Sequence, residues 1–244
     1  MKGFPAVFES NAAAVDLLAG RAECSRGGTP AIASDLMIPW DDWPAKPAAW
    51  VKKVLDLALS LILLGLLWPF MAALALAVRM DGAGPIFYVS ERIGRRGRQF
   101  ACYKFRTMVV DADLLQHELR ARNERDAILF KVAEDPRVTC VGRFLRKYSL
   151  DELPQLLNVV RGEMSLIGPR PPLLSEVANY EREHFIRLTV LPGMTGLWQV
   201  QCRNSPSFTD YINLDLAYIE RWSLWLDFKI LWRTIGVVLA GTGT

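Results

Sequence analysis

Leu57 to Val78 is a run of 22 residues without a charged side chain, and no other feature restricts the chain as much. As an α-helix it reaches roughly 33 Å, enough to cross a bilayer core of about 30 Å. Trp68-Pro69 interrupts the run past its middle. Proline lacks an N–H and its ring presses on the carbonyl four residues back, here Gly65, which favours a sharp bend. Both flanks are basic: Lys46, Lys52 and Lys53 precede the run, and Arg79, Arg92, Arg95, Arg96 and Arg98 follow it. The positive-inside tendency then puts both ends in the cytoplasm. A single-pass anchor is the default for this length, but a bent helix entering and leaving by one face satisfies both observations.

Outside that run the chain is expected to face water. Its 244 residues suit one sizeable domain or two small ones, and 51% hydrophobic with 23% charged residues excludes a wholly disordered chain. One long apolar stretch excludes a polytopic membrane protein. The net charge of +3 is too small by itself to imply nucleic acid. Cys24, Cys102, Cys140 and Cys202 are widely spaced, and with only His117 and His184 beside them a zinc site is not expected. Isolated thiols fit a reducing compartment. No secretory signal is expected, because the apolar run begins about fifty residues in.

Three regions follow. Residues 1–46, rich in Ala, Gly, Ser and Pro, read as a mobile tail; residues 47–80 hold the membrane helix, and residues 81–244 read as one compact α-rich cytosolic domain. Trp40, Trp43 and Trp50 suit either a membrane–water interface or local packing. Short strands are predicted at 85–89 and 100–105, joined by Gly94-Arg95-Arg96-Gly97-Arg98. Helical spacing covers 111–125, 153–160 and 215–239. In the last of these, Trp222, Trp225, Phe228 and Trp232 form a stripe expected mainly in the core, with headgroup contact as the alternative.

Chemistry concentrates at Asp151-Glu152. Ser149 and Glu152 match a capping box, which needs no catalysis. Pro154, however, then falls at the fifth helical position; a helix starting at Pro154 would leave both acids in a loop facing an anion site. Cations surround this sequence: residues 79–108 hold seven Arg or Lys against two acids, and Arg137, Arg143, Arg146 and Lys147 form an acid-free stretch. Lys104 and Arg106 alternate with Tyr103, Phe105 and Met108, so at least one is expected against a packed surface. Arg170 sits in the stiff turn Gly168-Pro169-Arg170-Pro171-Pro172 and suits bidentate phosphate recognition. Carboxylates amid phosphate-binding cations suggest phosphoryl chemistry with a divalent ion. Neither GxxxxGK[ST] nor GxGxxG occurs, so nucleoside triphosphatase and dinucleotide oxidoreductase readings lack support.

From about Val51 to Gly241 the chain resembles the bacterial sugar transferases known as monotopic phosphoglycosyl transferases. The likeness rests on the apolar segment with its proline, Gly84-Pro85-Ile86-Phe87-Tyr88, Tyr103-Lys104-Phe105-Arg106-Thr107-Met108, and Asp135-Pro136-Arg137-Val138-Thr139. It continues through Leu145 to Asn158, Gly162 to Pro171, and Pro192-Gly193-Met194-Thr195-Gly196-Leu197-Trp198-Gln199-Val200. The resemblance implies an α-rich α+β fold with one re-entrant membrane helix (broken at Trp68-Pro69), a compact cytosolic domain with short strands, and amphipathic interfacial helices. It implies transfer of a sugar-1-phosphate from a UDP-sugar to a polyprenyl (undecaprenyl) phosphate at the cytoplasmic face of the bacterial inner membrane, with release of UMP, as the initiating step of exopolysaccharide assembly. Asp151 would be the nucleophile of a covalent acyl-phosphate intermediate and a Mg2+ ligand, and Glu152 its partner. Lys104, Arg106, Arg146, Arg170 and Arg203 would bind phosphate or nucleotide. No nucleic acid is expected; association with a second copy of the chain is left open. Two positions depart from the pattern: Cys202 replaces a glycine and Leu191 a common basic residue. Competing readings are a metal-dependent phosphodiesterase or lipid hydrolase, and a membrane-tethered interaction module without catalysis.

Overall fold

A computed structural model describes residues 48–112, 114, 115, 135–201 and 207–241. The expected N-terminal tail with Trp40 and Trp43, most of the helix expected over 111–125, and Arg203 with Cys202 lie outside them.

Helix α1 (Ala49–Met80) carries the apolar run. It is helical through Pro69, so the expected break does not interrupt it. One stripe of the helix packs inward: Asp56, Ser60, Leu74 and Val78 are buried. Most other positions are bare, with Leu66 at 71% and Trp68 at 65% exposure. Among the described residues this is the one helix long and apolar enough to cross a membrane.

The domain that follows is α-rich with two small sheets. Strands β1 (Phe87–Ile93) and β2 (Gln99–Phe105) form an antiparallel hairpin, closed by a tight turn at Arg95–Gly97. Its register pairs Tyr88 with Lys104. Helix α2 (Cys140–Lys147) starts at Thr139, whose hydroxyl accepts the Gly142 N–H at 3.0 Å. A 3-10 turn at Leu150–Gln155 leads into α3 (Leu156–Val160). Strand β3 (Ser165–Ile167) pairs in parallel with β4 (Gly193–Thr195), with the short helix α4 (Leu174–Val177) and a 3-10 segment at Arg182–Thr189 between them.

After α5 (Leu197–Gln201) come α6 (Phe208–Arg221) and α7 (Leu224–Ala240). The single helix expected over 215–239 is therefore two. Ser223 leaves the helical conformation and its hydroxyl accepts the Leu226 N–H at 3.2 Å, starting α7 afresh. The aromatic stripe also divides. Trp222 is half-buried and donates to Asp227 at 3.0 Å, whereas Trp225, Phe228 and Trp232 are exposed rather than in the core.

Three apolar clusters hold these elements. Ile93, Val177, Leu188, Trp198 and Tyr211 form one. Cys102, Leu156, Met164, Ile219 and Ile230 form a second, against which Leu59, Leu63 and Leu64 of α1 pack. Leu74 and Val78 of α1 join Phe105 and Leu145 in the third. Both halves of α1 thus pack on the same domain. Polar contacts reinforce this at each end. Lys52 donates to Asp227 at 2.7 Å and the Ser165 hydroxyl to Asp56 at 2.6 Å near the start. At the far end the Asp81 carboxylate accepts the Val141 N–H at 3.1 Å.

Candidate active site

Asp151 and Glu152 stand in the 3-10 turn that follows α2. Ser149 sets this up: it ends α2 with φ of 55°, a left-handed conformation that usually falls to glycine. Its side chain caps nothing at the start of the turn, so the capping-box reading fails, as does that of a helix beginning at Pro154. Pro154 is accommodated inside the short turn, where the amide it lacks matters less.

Lys104 reaches the pair from β2, its ammonium 2.6 Å from Glu152 Oε1. Asn158 fixes that strand against α3, donating to Ala101 O at 2.7 Å and accepting the Tyr103 N–H at 3.2 Å. Arg146 approaches from α2. Gly142 lets this helix touch the Thr107 backbone so closely that a Cβ there would overlap it, and Arg146 Nε then donates to Thr107 Oγ1 at 2.9 Å. The terminal nitrogens of Arg146 keep no hydrogen-bond acceptor among the described residues. Burial pushes the Asp151 carboxyl up to about 6; Lys104 pulls it down, Glu152 pushes it up, and Arg146 pulls it down again. A carboxylate at that value is ionised at neutral pH and more basic than an ordinary aspartate.

Arg170 joins from the other side. Its turn is clamped backbone to backbone: Gly168 N–H donates to Thr195 O at 2.9 Å and Gly193 N–H to Pro169 O at 2.8 Å. A Cβ at Gly193 would overlap Gly168, which explains why both motifs carry glycine there. Beneath the turn lies a buried ion pair, Arg187 and Asp215, with N–O at 2.6 Å. Arg187 also bonds the Tyr180 and Tyr211 hydroxyls and donates to Arg170 O at 2.9 Å. The half-buried Arg170 guanidinium itself makes no hydrogen bond among the described residues and sits 6.0 Å from the Trp198 ring centre. Burial would lower its pKa, but Glu176, Tyr211 and Glu152 outweigh that and hold it above the usual arginine value.

The structure thus brings Asp151, Glu152, Lys104, Arg146 and Arg170 into one electrostatic group. Arg106 takes another job. It is buried and donates to Val78 O, Gly82 O and Ala83 O at 3.0, 2.8 and 2.7 Å, tying off the end of α1, because β2 has by then run past the acids. Arg137 is likewise committed, to Asp135 at 2.6 Å. Trp68 and Pro69 lie on α1, not at the site. Arg92, Glu176, Arg187, Tyr211 and Asp215 escaped the sequence reading as site residues.

The model of the family described as "Bacterial sugar transferase" matches residues 47–241. The chain belongs to the bacterial sugar transferase family. The galactosyl transferase CpsE of Streptococcus agalactiae is 45% identical over 195 residues, 79% of this chain and 43% of that protein. The undecaprenyl-phosphate galactose phosphotransferase of Salmonella typhimurium is 43% identical over 205 residues, covering 81% of this chain and 42% of that protein. The chain therefore spans under half the length of such larger relatives. The exopolysaccharide production protein ExoY of Rhizobium meliloti is 37% identical over 224 residues, 90% of this chain and 99% of that protein.

Proposed function

We propose that this chain transfers a sugar-1-phosphate from a UDP-sugar to undecaprenyl phosphate at the cytoplasmic face of the inner membrane, releasing UMP as the first step of exopolysaccharide assembly. The observation that carries this reading is the acid pair Asp151-Glu152 in its 3-10 turn, with the Lys104 ammonium 2.6 Å from Glu152 and the terminal nitrogens of Arg146 open among the described residues. An Asp151 oxygen attacks the sugar-bearing phosphorus. The bond to the nucleotide's phosphate oxygen breaks, its electron pair leaves with UMP, and an aspartyl phosphate-sugar forms. An oxygen of the lipid phosphate then attacks the same phosphorus and the Asp151 carboxylate departs. Two displacements replace one difficult transfer. Arg146 and Lys104 neutralise charge gathering on the phosphoryl oxygens, and Glu152 holds Lys104 in place.

Mg2+ fits the residues present. Among the described residues no three His, Cys, Asp or Glu cluster to cage a metal, while a Mg2+ held by one or two carboxylates plus substrate phosphates needs no such cage. Asp151, with Glu152 beside it, would hold the ion, which when bound supplies Lewis-acid neutralisation of the diphosphate.

We further infer that α1 dips into one leaflet and returns. Its beginning is bonded to Asp227 and Ser165, its end to Arg106 and Val141, all in one domain, while Leu66 and Trp68 stand out near the middle. The exposed Trp225, Phe228 and Trp232 of α7 suit the adjoining headgroups. Single cysteines at Ala49 and Gln99, in a chain otherwise free of cysteine, should be labelled from the same face of sealed vesicles; labelling from opposite faces overturns this topology.

The reaction is tested with purified chain, a panel of UDP-sugars, undecaprenyl phosphate and Mg2+. UMP release lost in Asp151→Asn supports the proposal. Undiminished release by that variant overturns the nucleophile, and free sugar-1-phosphate formed without lipid would favour hydrolysis instead.

A further inference from the structure

Arg92 has no part in the reaction described above, yet it is bonded to the Arg170 turn. Its Nη1 donates to Pro171 O at 3.1 Å, the carbonyl next to Arg170, and its Nε donates to Ser90 Oγ at 3.2 Å. The hairpin is pinned to the same turn by Ile93 N–H on Pro172 O at 3.0 Å. The remaining Arg92 nitrogen, Nη2, has no acceptor among the described residues, and neither has any nitrogen of the Arg170 side chain. Two guanidiniums are thus fixed on adjoining backbone with donors left open. Burial, and after it the like charge of Arg170, pull the Arg92 pKa down. Glu176, buried nearby with Oε2 unpartnered, is the countercharge that acts on both. Both guanidiniums thus keep hydrogen-bond donors without an acceptor among the described residues.

We propose that Arg92 and Arg170 form a second phosphate seat beside Asp151, gripping the phosphate group that is not under attack. This rests on the proposed transfer. The charges acting most on Asp151 are Lys104, Glu152 and Arg146, whereas those acting most on Arg92 are Arg170, Glu176, Cys102 and Tyr211. Glu152 acts on both Asp151 and Arg170. In-line displacement at phosphorus sets entering and leaving groups on opposite sides. UMP therefore leaves from the side facing away from Asp151, and the lipid phosphate enters from that same side in the second step. One seat serves both phosphates in turn, and each excludes the other. Two guanidiniums match a phosphate in charge and in donor geometry.

The test compares full-length wild type, Arg92→Gln and Arg92→Lys in detergent or nanodiscs. Removing one charge-assisted contact should raise KM for both UDP-sugar and undecaprenyl phosphate by about tenfold or more, weaken inhibition by UMP similarly, and leave Arg92→Lys in between. A rise for the nucleotide substrate alone, or for the lipid alone, overturns the shared seat. If Arg92 only pins the hairpin to the turn, both variants lose Tm while both KM values stay at wild type, and the seat is refuted. Should wild type release no UMP from any UDP-sugar, the proposed reaction is what fails. The seat is then read from UMP binding by calorimetry, where equal affinity of wild type and Arg92→Gln refutes it.

Discussion

Two groups of charges sit on either side of the Arg170 turn and are built on opposite rules. Below it, Arg187 and Asp215 are fully buried, and Arg187 is bonded to the carboxylate, two tyrosine hydroxyls and a carbonyl. Burial alone would pull the Arg187 guanidinium down, but Tyr211, Asp215 and Tyr180 keep it charged. Above it, Asp151, Arg146 and Arg170 are half-buried, and the two arginines keep terminal nitrogens open among the described residues. The satisfied cluster is a frame. The unsatisfied one is the proposed site, since half-buried donors without acceptors gain most from a ligand that supplies them. Saturation of hydrogen bonds, more than charge or burial, distinguishes the two.

The comparison breaks most sharply on stability. Arg187→Met strands Asp215 without its partner and should cost about 3–5 kcal/mol in denaturant unfolding. Arg146→Met, which removes an open cation, should move stability by under about 1 kcal/mol while lowering transfer about tenfold or more. Equal stability losses in the two variants would erase the distinction.

Titration sharpens it further. Asp151 must be ionised to attack, so transfer should rise with pH through about 6. Lys104 draws that value down, so Lys104→Met should move the acidic limb of the pH–rate profile upward. A limb that stays in place would remove Lys104 from the site. Stability runs the other way: the folded carboxyl binds its proton more tightly than the unfolded one, so Asp151 contributes least to stability above about pH 6. Asp151→Asn should therefore melt higher than wild type at pH 7.5.

The smallest effect concerns the turn itself. Ser149 holds a left-handed conformation, and Ser149→Gly should relieve about 1 kcal/mol of strain, seen as a raised Tm. The looser turn should also lower kcat. A Tm at or below wild type would show that Ser149 is unstrained there.

Much of the candidate site was legible because its motifs lie in continuous stretches. Asp151-Glu152, Arg146 and Arg170 each belong to a short segment whose residue types already imply anion chemistry. Lys104 and Arg106 looked equivalent for the same reason, two cations alternating in one strand; only the fold shows that the strand ends over α1, where Arg106 meets carbonyls instead of substrate. The Arg187–Asp215 frame and the Arg92 contact join segments far apart in the chain, and no local pattern records such a meeting. Local geometry was hidden as well. The left-handed Ser149 turned an apparent capping box into a 3-10 turn, and Ser223 cut one apparent helix into two by capping the second.

The central claim is that Asp151 carries the sugar phosphate between donor and acceptor. Intact-mass measurement of wild type after incubation with its UDP-sugar and Mg2+, without lipid, tests it most directly. The account predicts a mass increase equal to one phospho-sugar, mapped to the peptide containing Asp151, absent from Asp151→Asn and discharged on adding undecaprenyl phosphate. Lipid-linked product formed by wild type with no adduct trapped at any time, or an adduct on the Asp151→Asn chain, would contradict it.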